Sequence, residues 1–433
     1  MANIAADLAA IVGSDRVLPP DSLAPALALA GTAAPQALVY PATEAELAAV
    51  MVCAHQNRWR VLPCGSGSKL AWGGLVEGVD LVVSTARLNQ VIDHAVGDMT
   101  LTAQAGVKLA DVAPRLAQHN QFLAIDPAYP DQATLGGIVA TADTGSLRQG
   151  YGGLRDRVIG LSFVRADGQI AKAGGRVVKN VAGYDLMKLM TGSYGTLALV
   201  SQLTFRLYPR QDASKTVVMT GGAGAVDSLA SALRRSPLTP VAIDSLSPAL
   251  ADHLGYGERF ALLVRFQSIA PGVEEQVEAL LAMVGADLSA QVLEGVADEQ
   301  IWSTVREALF SRAEAQGQAM VAKVGLPPAQ VVAWIDQLPA GSLARLHGGS
   351  GIGTVRLAEA TVAVVETLRS RCTAAGGYLT LLEAPLALKK SVDVWGYTGN
   401  ALAVMTAVKS QFDPHDCLSP GRFVGPGGGV GRL

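Results

Sequence analysis

The sequence predicts an α+β protein with two larger units, on three observations. Between 38 and 211, short apolar strand patterns alternate with tight groups of glycine, among them Gly136-Gly137, Gly152-Gly153, Gly174-Gly175, Gly192 and Gly195. From 212 to 400, strand-length and helix-length apolar patterns follow one another in pairs, which suits an antiparallel sheet with helices on one face. At 433 residues the chain also exceeds what one ordinary core serves. The division that follows is a helical segment over 1–37, a glycine-rich domain over 38–211, a second domain over 212–400 and a closing segment over 401–433.

Each element has its own signal. Residues 1–15 read as a short amphipathic helix, and Asp7 with no basic stretch before it argues against a signal peptide. Leu38 to Pro41 is a short strand. Thr43 is then an N-cap with Glu46 three residues on, a capping box, and the helix runs to about Asn57. Trp59 to Leu62 is a buried strand, followed by a loop over 63–69. Strands are expected at 79–84, 99–105 and 158–164, with a helix near 107–119. Asp167-Gly168 marks a two-residue hairpin turn, and the stretch from Gly192 to Tyr208 ends in a strand of alternating pattern. In the second domain, strands at 216–220, 239–246 and 259–267 enclose helices at 225–235 and about 272–285. The alternation continues over 314–338 and 343–382, a helix returns around 386–411, and the tail from Asp413-Pro414 to Gly425 is rich in Pro and Gly.

Composition removes several classes of function. Half the residues are apolar, the net charge is -3, and Lys and Arg form no basic stripe, so a nucleic-acid partner is not expected. No uncharged apolar run approaches a membrane span; Pro35, for example, interrupts the Ala/Leu-rich stretch near Leu27. Cys53, Cys64, Cys372 and Cys417 form no CxxC pair, which excludes an ordinary iron–sulfur ligand run or zinc ribbon. They give no disulfide framework either, so a cytoplasmic location is the expectation. The six histidines show no metal spacing, and no metal is expected.

The loop Gly65-Ser66-Gly67-Ser68-Lys69 follows a strand and precedes no clear helix. Its consecutive N–H groups suit an anion nest of the kind that holds a pyrophosphate, although a plain tight loop would look the same. It is neither a Walker A loop nor a Rossmann fingerprint. Thr134-Leu135-Gly136-Gly137, with Ala140-Thr141 after it, offers a hydroxyl and paired glycines that admit a ligand closely, although strand-to-helix packing without a ligand would look the same. Gly221-Gly222-Ala223-Gly224 is a dinucleotide lookalike with Asp227 at the third-glycine position, and reads as an ordinary βα turn. Arg345-Leu346-His347-Gly348-Gly349-Ser350-Gly351 lacks the second histidine and the carboxylate that would make a site, and reads as a loop between strands. Lys179-Asn180-Val181-Ala182-Gly183-Tyr184-Asp185 gathers a cation, an amide, a phenol and a carboxylate. It would contact a flavin or an acidic substrate, or merely cap a helix that starts near Asp185.

Taken in order, these pieces resemble the FAD-linked oxidases with the vanillyl-alcohol oxidase (PCMH) type of flavin domain, and within them the E subunits of bacterial glycolate oxidase (glycolate dehydrogenase). The pieces are Pro41 to Glu46, Gly65 to Gly73, Ala105-Gly106-Val107, Asp126-Pro127, Ala133 to Thr141, Gly174 to Leu189, Gly192 to Leu197, and the tail from Asp413-Pro414 to Pro420-Gly421-Arg422-Phe423. The resemblance is dense over 38–210, clear in the tail and weak over 211–400. It implies a two-subdomain FAD-binding domain, a ferredoxin-like α+β cap, and a tail that packs back on the FAD domain. It also implies residue roles: Gly65, Ser66, Gly67, Ser68 and Lys69 at the pyrophosphate, with Pro127, Thr134, Gly136, Gly137, Ala140 and Thr141 forming a second wall. Leu199 or Val200 would lie by the adenine or ribose, and Arg422 would reach towards the isoalloxazine. The first loop has no histidine to attach flavin, so FAD is expected to be non-covalent. Ser419 stands where relatives usually carry Asn, and that contact does not carry over.

Relatives that oxidise 2-hydroxy acids carry a segment HxGDGNxH in the cap, and this chain has only His347-Gly348-Gly349-Ser350. Oxidising a hydroxy acid requires a base for the hydroxyl proton and a cation for the carboxylate. The resemblance therefore implies an FAD subunit of a glycolate-oxidising complex that relays electrons or supports assembly beside a sister flavin subunit and an iron–sulfur subunit. Such a subunit would touch the inner membrane only through its partners. Two alternatives stay open: a self-sufficient 2-hydroxy-acid dehydrogenase using Lys179, Tyr184 or Arg345, and a non-catalytic assembly subunit.

Overall fold

The computed structural model describes residues 4–32, 35–176, 183–311, 319–397 and 399–424. It divides into two units. One comprises Met1–Thr144, Gly153–Pro209 and Val392–Leu433, and the other Gly145–Gly152 and Arg210–Ser391. The chain thus leaves the first unit for the short piece Gly145–Gly152 before its main departure at Arg210. Lys179 and the rest of 177–182 lie outside the described residues, as do 312–318 and the tail beyond Val424. Among the described residues, no helix is long and apolar enough to cross a membrane.

The first unit holds three sheets among its described residues, the smallest a pairing of Gln121–Phe122 with Tyr208–Pro209. A four-stranded sheet has the order Val17–Leu18, Ala37–Val39, Leu81–Ser84, Val61–Cys64, with the last two pairings parallel. The helix Glu44–Asn57 follows Ala37–Val39 and buries Leu47, Val50, Met51 and Ala54, the i, i+3, i+4, i+7 stripe of an amphipathic helix. Thr43 Oγ1 accepts from Glu46 N–H at 3.1 Å, as its spacing predicts. The return half of the box is displaced by one residue, because the Glu46 carboxylate accepts from Ala42 N–H (2.7 Å) and pairs with Arg16 at 2.6 Å. The strand after this helix runs Val61–Cys64 rather than from Trp59 to Leu62. It is the edge of its sheet, where Pro63 costs no ladder bond.

The second sheet is antiparallel, in the order Val91–Ala95, Thr100–Gln104, Leu199–Arg206, Val158–Val164, Ile170–Gly174. Leu199–Arg206 shows no clean alternation of burial, contrary to the expected pattern. It is the central strand and both faces are covered: Leu199 joins the core around Leu47 and Val83, and Val200, Leu203 and Phe205 join the core around Leu135 and Ile138. The hairpin at Asp167-Gly168 forms, but Val164 pairs with Ile170, so its loop is longer than two residues. Only Gly168 takes a positive φ (+83°), whereas a two-residue type I′ turn needs two such residues. The helix expected over 386–411 is two helices, Leu386–Ser391 and Leu402–Phe412.

The second unit is built on an eight-stranded antiparallel sheet. Its order is Leu288–Glu294, Ala213–Gly221, Phe260–Ser268, Ala242–Leu246, Leu343–His347, Ile352–Leu357, Met320–Gly325, Tyr378–Glu383. Helices Ala223–Arg235, Ala270–Leu281, Val296–Phe310 and Val362–Ala374 connect its strands. The glycines at 221–224 join a strand to the first of these helices, the plain βα turn that their spacing suggested.

Candidate cofactor site

Within the first unit a cleft open to solvent runs along the end of the strand Val61–Cys64. Of the residues singled out in the sequence, Gly65, Ser66, Gly67, Ser68, Lys69, Thr134, Gly136, Gly137, Ala140, Thr141, Leu199, Val200 and Arg422 all line it, and Pro127 does not. Ser193, Tyr194 and Gly195 also line it; their signal was the glycine group at 192–195, which carried no site assignment. Pro63, Cys64, Leu70, Thr85 and Ala198 complete the wall; Pro63 and Cys64 belong to the loop over 63–69 and Leu70 to the piece Gly65 to Gly73, whereas nothing local in the sequence marks Thr85 or Ala198.

Backbone geometry makes the first wall. Ser84 Oγ donates to the Gly65 carbonyl at 2.9 Å, and Ser66 Oγ donates to the Gln132 carbonyl at 2.6 Å, which fix the start of the loop. Gly67 sits at φ +82°, a conformation that glycine adopts without strain. The second wall is the short helix Leu135–Ala140, capped by Thr134 Oγ1, which accepts from Gly137 N–H at 3.2 Å. Gly136 has a packing reason of its own: a Cβ there would stand 2.7 Å from that of Ala105.

The tail closes the site. Val61 N–H donates to the Cys417 carbonyl (2.7 Å) and Ser419 N–H to the Val61 carbonyl (2.9 Å), so the tail lies beside the strand that delivers the first loop. The Ser419 hydroxyl donates to the Gly195 carbonyl at 3.3 Å. Arg422 is buried and donates to the carbonyls of Leu70 (2.9 Å) and Trp72. Burial pulls its guanidinium down to about 10, which leaves it charged at neutral pH. The other cation of the cleft, Lys69, lies 2.9 Å from the Asp143 carboxylate, and both side chains are buried.

The remaining candidates are elsewhere. Tyr184 is 93% exposed and does not line the cleft. Its neighbour Asp185 caps the helix Leu186–Met190 by accepting from Lys188 N–H at 3.1 Å, so this part of the polar cluster serves as a cap. Arg345 is buried in the second unit, where His347 is the last residue of a strand rather than part of a loop. The carboxylate that seemed missing beside His347 is Asp244 on the neighbouring strand. Its Oδ1 lies 2.6 Å from His347 Nδ1, its Oδ2 accepts from Ser146 Oγ at 2.5 Å, and Arg345 Nε is 3.9 Å away. No cluster of three or more metal-ligating side chains occurs among the described residues.

The cleft suits a flavin dinucleotide on its own chemistry. Among the described residues lining it are several glycines, Lys69 and Arg422 are the charged side chains, and there is no carboxylate. Comparison with known proteins agrees. Residues 35–174 match the family described as FAD binding domain. The glycolate oxidase subunit GlcD of Bacillus subtilis is 33% identical over 184 residues, 42% of this chain and 39% of that protein. The glycolate oxidase subunit GlcE of Escherichia coli is 36% identical over 151 residues, 35% of this chain and 43% of that protein. The chain thus spans less than half the length of either. The mitochondrial D-lactate dehydrogenase [cytochrome] of Arabidopsis thaliana is 25% identical over 438 residues, covering 90% of this chain and 74% of that one. The crystal structure of p-cresol methylhydroxylase superimposes with a TM-score of 0.75 at 14% identity, covering 97% of this chain and 96% of that one. The chain therefore carries an FAD-binding domain and takes the p-cresol methylhydroxylase (vanillyl-alcohol oxidase) type of fold, the architecture of FAD-linked oxidoreductases.

Proposed function

We propose that this chain is the FAD-binding, E-type subunit of a complex that oxidises glycolate or a similar small 2-hydroxy acid, and that it relays electrons or supports assembly. Its neighbours would be a sister flavin subunit that does the oxidation and an iron–sulfur subunit that takes the electrons, in the cytoplasm or held at the membrane by those partners. Bound FAD would supply two-electron redox chemistry. Gly65 to Ser68 and the helix Leu135–Ala140 with its cap Thr134 would hold its pyrophosphate and exclude water, and Lys69 and Arg422 would be the cations beside it.

The observation that carries this reading is the closure of Asp244, His347 and Arg345 on one another inside the second unit. The imidazole that a hydroxy-acid site would use as base is buried and hydrogen-bonded to Asp244, and the guanidinium that would anchor the carboxylate is buried 3.9 Å from the same group and donates to Ser146. The similarity to glycolate oxidase subunits GlcD and GlcE supports the complex. The near full-length similarity to a D-lactate dehydrogenase supports the second reading, a self-sufficient 2-hydroxy-acid dehydrogenase. The two separate in one experiment. The purified chain is given glycolate or D-lactate without oxygen while its flavin absorbance is followed. A band that stays oxidised, and bleaches once the sister subunits are added, is the expected result. Bleaching of the isolated chain would replace the relay with the dehydrogenase.

A further inference from the structure

We propose that Asp143 is a positioning residue that neutralises Lys69 beside the flavin cleft, so that Arg422 is the uncompensated cation among the described residues lining it. This rests on the flavin reading of the cleft. The Lys69 ammonium lies 2.9 Å from Asp143 Oδ2, and the same oxygen accepts from Ala128 N–H at 3.0 Å, a second bond that holds the carboxylate in place. The lysine also stands over the Trp72 ring, 5.6 Å from its centroid. Arg422 differs in kind. Its side-chain bonds run to the Leu70 and Trp72 carbonyls, and no carboxylate pairs with it among the described residues. One cation of the cleft is thus compensated and the other is not.

The consequence is electrostatic. Reduction adds two electrons and a proton to the flavin and leaves a negative charge on it, which a buried cation stabilises strongly where water is excluded. With Asp143 in place only one such cation is effective. This holds the flavin's potential low enough to pass electrons onward while Arg422 still favours their arrival. Removing the carboxylate charge adds a second cation, and removing the ammonium leaves an anion at the same position. The two changes therefore move the potential in opposite directions, which loss of packing alone would not do.

The test uses the full chain reconstituted with FAD and measures the midpoint potential by dye equilibration, together with the FAD dissociation constant. Asp143→Asn is expected to favour the reduced form about tenfold, an upward shift of about 30 mV for a two-electron couple. Lys69→Met is expected to shift it down by a similar amount, and the double variant to return near the wild-type value. Unchanged potentials in both single variants, or shifts of the same sign, would overturn the proposal while leaving the flavin reading intact. If Asp143→Asn does not fold, Lys69→Met alone decides, since an unchanged or raised potential there overturns it. A wild-type chain that binds no FAD at micromolar concentration would instead overturn the flavin reading and the proposal with it.

Discussion

Gly65 and Thr134 meet face to face across the cleft: a Cβ built on Gly65 would overlap Thr134 Oγ1 and stand 3.0 Å from its Cγ2. Two segments far apart in the chain are thereby held at backbone distance, and the same threonine caps the helix of the second wall. Gly65→Ala would push the walls apart or break the cap. Flavin retention is expected to fall more than tenfold, with a loss of about 1–3 kcal/mol in stability, the usual cost of overpacking. The ratio of flavin to protein absorbance after gel filtration measures the first, and urea unfolding the second.

Lys409 is expected to control the tail. Its ammonium is buried and lies 2.5 Å from Asp413, 2.9 Å from the Thr196 carbonyl, 3.0 Å from the Leu418 carbonyl and 3.2 Å from Asp416. One cation thus joins the C-terminal helix, the tail and the 193–196 turn of the cleft. Lys409→Met leaves two acidic groups without it, and breaking a buried pair from one side costs about 3–5 kcal/mol. Denaturant unfolding should show a loss of that size, with faster proteolysis after Phe412. A loss below about 1 kcal/mol would show that the other bonds of the tail, to Val61, Gly195, Leu70 and Trp72, hold it without this cation.

Local chemistry explains what the sequence disclosed. The Thr43 cap, the Gly65–Lys69 loop and the Thr134–Gly137 turn are each written in neighbouring residues, so their spacing was enough to find them. The long-range partners were not legible. Asp244 and His347 lie 103 positions apart and meet only because strands Ala242–Leu246 and Leu343–His347 are neighbours in a register that sets them opposite. Asp143 was passed over for the same reason: it borders a glycine-rich turn, and its lysine lies in another loop. The alternation expected around Gln202 failed because periodicity reports one buried face, and this strand buries two.

Asp244 should make the second unit sensitive to acid. Burial alone would raise its pKa, but the His347 imidazole, the Arg345 guanidinium and the Ser146 hydroxyl outweigh burial and hold it below its ordinary value. The folded state then binds fewer protons than the unfolded state at low pH, so the contribution is complete above about pH 4 and is lost as pH falls below that. Asp244→Asn is expected to flatten the acid limb of the stability profile and to cost about 3 kcal/mol at neutral pH by leaving buried groups unpaired. Unfolding curves from pH 3 to 7 on both proteins check this. Parallel acid limbs would mean that other carboxylates govern the response.

Flavin should leave this protein intact on denaturation. Among the described residues lining the cleft there is no histidine, and Cys64 is the cysteine on that wall. Burial pushes its thiol up to about 12 against the opposing effect of a hydrogen bond with Ser84. Little of the nucleophilic thiolate is then present at neutral pH. A thiol held in that state is poorly suited to forming a flavin bond, and Lys69 is already paired with Asp143. Acid precipitation of the yellow protein is expected to leave a colourless pellet and to release FAD into the supernatant, identified by its chromatographic mobility. Colour retained in the pellet, and shifted in mass by one flavin on a peptide containing Cys64, would show that the local environment activates the thiol once flavin is bound.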